Sequence, residues 1–113
     1  MKDLVTIGLP SKGRLKDKAV SFFDQNGLKI LQSKKERNYF GAIENKPNIN
    51  IIFLHAKEII QRLGDGTIDI GVSGLDLFNE SDKNLRDKIS IKRKLDFGNA
   101  NLVIAVPDDW IDV

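Results

Sequence analysis

Short apolar runs alternate with helical stripes along this chain, and that alternation is the feature that most narrows its fold. Leu4-Val5-Thr6-Ile7-Gly8-Leu9 is a nearly continuous apolar run stopped by Pro10, the pattern of a strand buried on both faces of a parallel sheet. After Ser11-Lys12-Gly13-Arg14, apolar residues recur at Leu15, Ala19, Phe22 and Phe23. That i, i+4, i+7, i+8 stripe predicts an amphipathic helix, which Asn26-Gly27 brings to a left-handed stop. Leu28-Lys29-Ile30-Leu31 then reads as a second strand, so the opening third predicts a βαβ unit with its loop at the carboxyl end of the first strand.

The remainder keeps the same rhythm. Residues 33–38 form a charged connector carrying Lys34, Lys35, Glu36 and Arg37, followed by a short extended piece at 39–43 and a turn at 45–48 around Pro47. Residues 49–54 favour a strand. Residues 56–63 then place Ile59, Ile60 and Leu63 on one helical face before Asp65-Gly66 ends the helix. A strand at 68–72 leads through Ser73-Gly74 into a short helix around 75–78. A polar stretch at 79–88 reads as a solvated loop, and strands at 89–95 and 101–106 close the pattern, with no internal repeat. The expected fold class is therefore α/β, a mainly parallel sheet flanked by helices. The 113 residues amount to a single domain, 1–113, with one core.

Composition removes several function classes. Without cysteine there is no disulfide scaffold and no thiolate metal site, and one histidine is too few for a typical structural zinc, so any metal must be oxygen-bound. Hydrophobic residues at 41% and charged residues at 30% lie far from the composition of disorder. No apolar stretch approaches a membrane span, and the early Asp3 and lack of a long apolar run argue against a signal peptide; the expectation is a cytoplasmic protein that meets no membrane. Residues 1–40 hold nine Lys/Arg against four Asp/Glu, whereas the rest hold nine against twelve. A basic first third suits an anionic ligand. Aromatics at 7% favour a small anion over a polynucleotide, so no nucleic-acid partner is expected.

Ligands of open α/β sheets bind outside the carboxyl ends of the strands. Two loops occupy that place, Pro10 to Arg14 and Ser73-Gly74, each joining a Gly and a hydroxyl to a helix start, where free N–H groups and the helix dipole attract anions. In the first, Ser11, Lys12, Gly13 and Arg14 offer two cations, a hydroxyl and a permissive backbone, a cradle for phosphate oxygens; the plainer reading is an ordinary turn with solvated Lys and Arg. Arg37 sits in a charge run, which by itself reads as a solvated face. Around the second loop, Asp65 reads as part of a helix end and Asp69 as a partner for a neighbouring loop, while Asp76 is placed to take a ligand hydroxyl or amine. His55 reads as a structural residue, since no acid is placed beside it in the sequence.

Taken together, Leu9-Pro10-Ser11-Lys12-Gly13-Arg14-Leu15, Arg37-x-Tyr39, Asp65-Gly66 through Gly71-Val72-Ser73-Gly74-Leu75-Asp76-Leu77, and Leu95-Asp96-Phe97-Gly98 with Leu102-Val103-Ile104-Ala105-Val106-Pro107 resemble the ATP phosphoribosyltransferase family. The likeness runs nearly end to end, and the closing residues 106–113 are similar to short-form members, which lack a built-in regulatory domain. The resemblance implies the first lobe of a type II periplasmic-binding-protein-like core. The family's main loop for phosphoribosyl diphosphate, carried by the second lobe, has no match, so the chain is expected to be an N-terminal lobe with little catalysis alone.

The resemblance further implies that, in the whole enzyme, adenine N1 of ATP displaces diphosphate from C1 of phosphoribosyl diphosphate, with Mg²⁺ on the phosphates, as the first step of histidine biosynthesis. Arg14 and Arg37 match the arginines expected to meet the diphosphate; Lys12 and Gly13, with Ser11, line the same pocket, and Ser73, Gly74 and Asp76 form its facing wall. A homo-oligomer and a regulatory subunit like histidyl-tRNA synthetase are also implied. Two positions depart from the family pattern: His55 stands where relatives often carry Arg, and Ala100-Asn101 where they often carry Cys-Arg. A non-catalytic small-anion-binding or effector-sensing module of the same fold remains the alternative.

Overall fold

The computed structural model describes residues 4–32, 40–96 and 101–107. Among these residues seven strands form one sheet in the order β2-β3-β4-β1-β5-β7-β6. These are β1 (Val5–Pro10), β2 (Ile30–Gln32), β3 (Phe40–Ile43), β4 (Lys46–Leu54), β5 (Ile70–Gly74), β6 (Ile89–Asp96) and β7 (Asn101–Pro107), with helices α1 (Gly13–Gln25), α2 (Ala56–Asp65), α3 (Leu75–Glu80) and α4 (Lys83–Arg86). Ile7, Gly8, Leu9 and Pro10 are all buried, as a strand enclosed on both faces requires. On one face Ile7 and Leu9 join Ile51, Phe53 and Val72 under Ala19 and Phe23 of α1. On the other, Leu54 and Ile68 pack with Ile59, Ile60 and Leu63 of α2.

Parallel pairing is confined to the centre, where β1 lies between β4 and β5; the flanking pairs β2–β3, β3–β4, β5–β7 and β6–β7 are antiparallel. The sheet is thus mixed, with the expected helices on its faces. The βαβ expectation is corrected in its placement. After α1 the chain crosses past β4 and β3 and lays β2 at the edge of the sheet, away from β1. A hairpin whose turn is only Glu44-Asn45 then brings the chain back inward, with Asn45 at φ +66. Pro47 belongs to β4 instead of a turn, near the strand start and beside the irregular register at Ala42/Ile43, a location that tolerates a missing N–H. The polar stretch after residue 79 is also more ordered than expected. α3 runs to Glu80, and Asp82 caps α4 by accepting from the Asn84 N–H at 3.2 Å.

Two contacts fix the centre. Asp69 is buried; its Oδ2 accepts from the Thr6 N–H at 2.9 Å, and its own N–H donates to the Thr6 carbonyl at 2.9 Å. The carboxylate foreseen as a partner for a neighbouring loop thus ties the entry of β5 to β1. At Gly71, a Cβ would lie 2.8 Å from both Ile59 Cγ2 and Leu63 Cδ1, so α2 presses directly on the β5 backbone. Asp69→Ala is expected to lower stability by about 1–3 kcal/mol, because the Thr6 N–H loses its acceptor. Gly71→Ala is expected to cost about 1–3 kcal/mol through overpacking. Gly74→Ala, whose Cβ would meet Leu15 Cδ1 at an ordinary 3.7 Å, should stay within ~0.5 kcal/mol of the parent. Urea unfolding of the three variants against the parent measures all of these.

Candidate functional site

The carboxyl ends of β4, β1 and β5 stand side by side, and each leads at once into a helix. α2 starts after His55, α1 after Lys12 and α3 after Gly74. The antiparallel flanks bring more chain to the same edge. Gln32 and Phe40, which bracket the charged connector, stand beyond β4, and Asp96 and Asn101 stand beyond β5. Arg37 itself, like Tyr39, Phe97, Gly98 and Ala100, lies outside the described residues.

At the centre of the edge, the Ser11 N–H donates to the Leu54 carbonyl at 2.9 Å and holds the loop against β4. Gly13, at φ +82, then swings the chain into α1, a conformation strained for any side chain. The first turn of α1 contains no acidic residue, and its N-cap residue, Lys12, makes no side-chain capping hydrogen bond, so neither offsets the positive end of the helix dipole. Lys12 and Arg14 are exposed beside it. Lys16, one turn further, has its ammonium 5.0 Å from the centre of the Phe53 ring, a cation–π contact that directs it onto β4. Lys12 and Arg14 are therefore the cations the loop presents outward.

Toward β5, a Cβ on Gly74 would sit 3.7 Å from Leu15 Cδ1, so the β5–α3 turn packs against the first turn of α1 and the two predicted loops are neighbours. Asp76 is exposed in the first turn of α3. Ser73 points elsewhere: it is buried, and its hydroxyl donates to the Gly74 carbonyl at 3.3 Å. Its hydroxyl therefore shapes the turn from inside.

Toward β3, a groove of about 640 Å³ runs from Ser11 and Lys12 between β4 and α2 to Phe40. His55 is the N-cap of α2, its Nδ1 accepting a long 3.4 Å hydrogen bond from the Lys57 N–H, which fits the structural role read from the sequence. Glu58 and Arg62 follow on the same stripe of α2, with Arg62 Nε and Nη2 donating to Glu58 Oε2 at 3.0 and 2.9 Å. Sequence reasoning missed this groove and Phe40 with it. The available signal was a large aromatic opening a short strand immediately after a charged connector.

Among the described residues no helix is long and apolar enough to cross a membrane. A profile of the family described as ATP phosphoribosyltransferase matches residues 55–112. Proteins named ATP phosphoribosyltransferase from Brucella melitensis and Brucella ovis are each 41% identical to it over 109 residues, covering 96% of this chain and 47% of the relative. The chain therefore spans about half the length of the curated relatives it matches. Among solved structures, one described as an ATP phosphoribosyl transferase (HisG:HisZ) complex from Thermotoga maritima superposes with a TM-score of 0.57 at 18% identity, over 82% of this chain and 41% of that one. The mixed sheet with its flanking helices is accordingly that of the type II periplasmic-binding-like fold, and the chain belongs to the ATP phosphoribosyltransferase family.

Proposed function

We propose that this chain forms the first lobe of an ATP phosphoribosyltransferase catalytic core, the enzyme that condenses ATP with phosphoribosyl diphosphate to phosphoribosyl-ATP and diphosphate as the first step of histidine biosynthesis. The observation that carries this reading is the pairing of exposed Lys12 and Arg14 with the uncapped N-terminus of α1, at the carboxyl edge of the sheet, in a chain of this family. Breaking the C1–O bond leaves negative charge on the departing diphosphate while the ribosyl carbon becomes cation-like. Donors fixed in advance at the leaving group lower that barrier.

In this role Arg14 forks onto the diphosphate, the Gly13 turn lets phosphate oxygens approach the backbone, and Lys12 adds a point charge beside Ser11. Arg37 is the proposed second arginine. Ser73 acts by holding the Gly74 turn, and exposed Asp76 receives a hydroxyl or amine of the substrate. Magnesium enters with the substrates' phosphates, to whose hard oxygens it is suited. Asp76 is a carboxylate on this edge able to accept from its coordinated waters.

The remaining length of the relatives supports a second lobe facing this edge in the whole enzyme. We further propose a homo-oligomer in the cytoplasm and a regulatory subunit resembling histidyl-tRNA synthetase; the Thermotoga maritima assembly, itself described as a HisG:HisZ complex, supports that partner. The runner-up is a non-catalytic anion-sensing module of this fold.

Calorimetric titration of the chain with ATP, with phosphoribosyl diphosphate plus Mg²⁺, and with a short oligonucleotide at two salt concentrations tests the ligand class. Saturable binding of a small phosphorylated ligand, lost in Arg14→Ala, is the expected result; binding of the oligonucleotide alone, weakening steeply with salt, overturns the reading. In the full-length enzyme, Arg14→Ala is expected to reduce turnover by about 10²–10³-fold, as removal of other charge-stabilising donors does, with an unchanged melting temperature. Near-parental turnover would remove Arg14 from the diphosphate site, and binding without turnover in the parent would favour the sensing module.

A further inference from the structure

His55 is the chain's single histidine, and the chain has no cysteine. Imidazole is the side chain that ordinarily changes charge between pH 5 and 8, so the response of the side chains to pH near neutrality falls on one residue. That residue stands where β4 ends and α2 begins, on the wall of the groove that also holds Glu58 and Arg62. Its backbone is fixed. The His55 carbonyl accepts from the Glu58 N–H at 2.9 Å and from the Ile59 N–H at 3.2 Å, and the Leu54 before it is buried. The exposed ring is held less firmly, because its Nδ1 accepts from the Lys57 N–H at 3.4 Å, longer than a typical N–H hydrogen bond. That bond requires a bare Nδ1, with the neutral ring's proton on Nε2. A proton taken up at Nδ1 turns the acceptor into a donor facing the Lys57 N–H, at the positive end of the helix dipole, so the cap is lost.

A second acceptor lies within reach of the ring. His55 is the N-cap of α2 and Glu58 its third residue, the two positions that reach each other in a capping box. Arg62 Nε and Nη2 both donate to Glu58 Oε2, which leaves Oε1 for another donor. Among the described residues, the charged groups that share the groove with the ring are Lys12 from the loop before α1, and Glu58 and Arg62 on α2; Phe40 from β3 and Ile52 and Leu54 from β4 carry no charge. Lys57 lines a separate pocket with Glu80 and Asp82. Glu58 is thus the one carboxylate among the described residues that line the groove.

We propose that His55 is a pH-sensitive switch at the head of α2. Neutral, its ring caps the helix on the Lys57 N–H; protonated, the ring leaves the cap and donates to Glu58 Oε1, making a His55–Glu58–Arg62 chain along the groove wall. The proton comes from solvent, and the backbone hydrogen bonds of His55 are kept throughout. Acid therefore adds one positive charge to the wall and returns the Lys57 N–H to water. The carboxyl edge responds to pH through the rotation of one ring, whatever ligand the edge holds.

The test is an NMR titration of the full 113-residue chain from about pH 8 to pH 5, the span in which imidazoles titrate, in the parent, His55→Asn, Glu58→Gln and Arg62→Gln. The lone histidine gives one set of ring signals. In the parent, hydrogen-exchange protection of the Lys57 amide, corrected for the pH dependence of exchange itself, is expected to fall roughly two- to fivefold as the ring titrates, the loss of one helix cap. His55→Asn keeps a capping oxygen that does not titrate and should show no such step. Below the ring's midpoint, its nuclear Overhauser contacts should pass from the Lys57 amide to the Glu58 side chain. Glu58→Gln should move the midpoint to lower pH by about 0.2–0.4 unit, the strength of one helix-surface ion pair. Arg62→Gln, which removes the competitor for the carboxylate, should move it to higher pH. Protection of Lys57 that is indifferent to the ring's titration, or ring contacts that stay on Lys57, overturn the switch, and both are read on the parent alone. Equal midpoints in the parent and Glu58→Gln overturn the carboxylate as the ring's second partner.

Discussion

Burial of β1 on both faces is the constraint from which the rest of the structure follows. A strand with no exposed face must have hydrogen-bonded neighbours on each side and helices above and below. β4 and β5 supply the first, and α1 and α2 the second. Because all three central strands run the same way, their connecting helices must start at one common edge. The site therefore has a place before it has any particular residues. The reciprocal bonds between Thr6 and Asp69 secure the far end of the β1–β5 pair, and the bare Gly71 lets α2 lie close against β5. Both act at a distance from the loops, and both decide how those loops are spaced.

Elements with a strong local signal were legible in the sequence. The period-3.6 stripes that predict α1 and α2 are borne out by the burial of Ala19 and Phe23 in one and Ile59, Ile60 and Leu63 in the other, and Gly66 closes α2 in the left-handed conformation. What local pattern does not encode is the order of strands. Nothing in residues 28–31 tells whether that strand pairs with β1 or travels to the edge. The answer lies in the β3–β4 hairpin, which fills the position beside β1 first. Pro47 misled for a related reason: its missing N–H marks a turn in most contexts but is harmless near the start of a strand with an irregular register. The helix at Lys83–Arg86 has one apolar anchor, Leu85, which packs on the core under α2, and an Asp82 cap, features that a polar composition conceals.

The site was legible to a similar depth. The loop Ser11–Arg14 stands where the sequence placed it, since Gly13 and the uncapped helix start are local features. Ser73 shows the limit of reading residue types: a hydroxyl in a Gly-containing turn reads as a ligand group, yet its strand position turns it inward, where it satisfies the Gly74 carbonyl. Phe40 shows the converse. As one aromatic in a short extended piece it carries no site signal, and only the sheet order, which leaves α2 over β5, β1 and β7 and places β3 further out, accounts for its exposure.

The electrostatics of the edge have a further implication for how such a site must work. Lys12 and Arg14 are exposed, and between exposed charges water and salt reduce an attraction to little. The same donors become strong only when the ligand and its surroundings displace that water. An apolar groove adjoins these cations, lined by Ile52, Leu54 and Phe40, so a ligand that covers it removes solvent from one flank of the loop. This edge thus supplies both the charge and part of the apolar surface that gives the charge its effect. The relatives' additional length, about half of each, is where the other flank is to be sought.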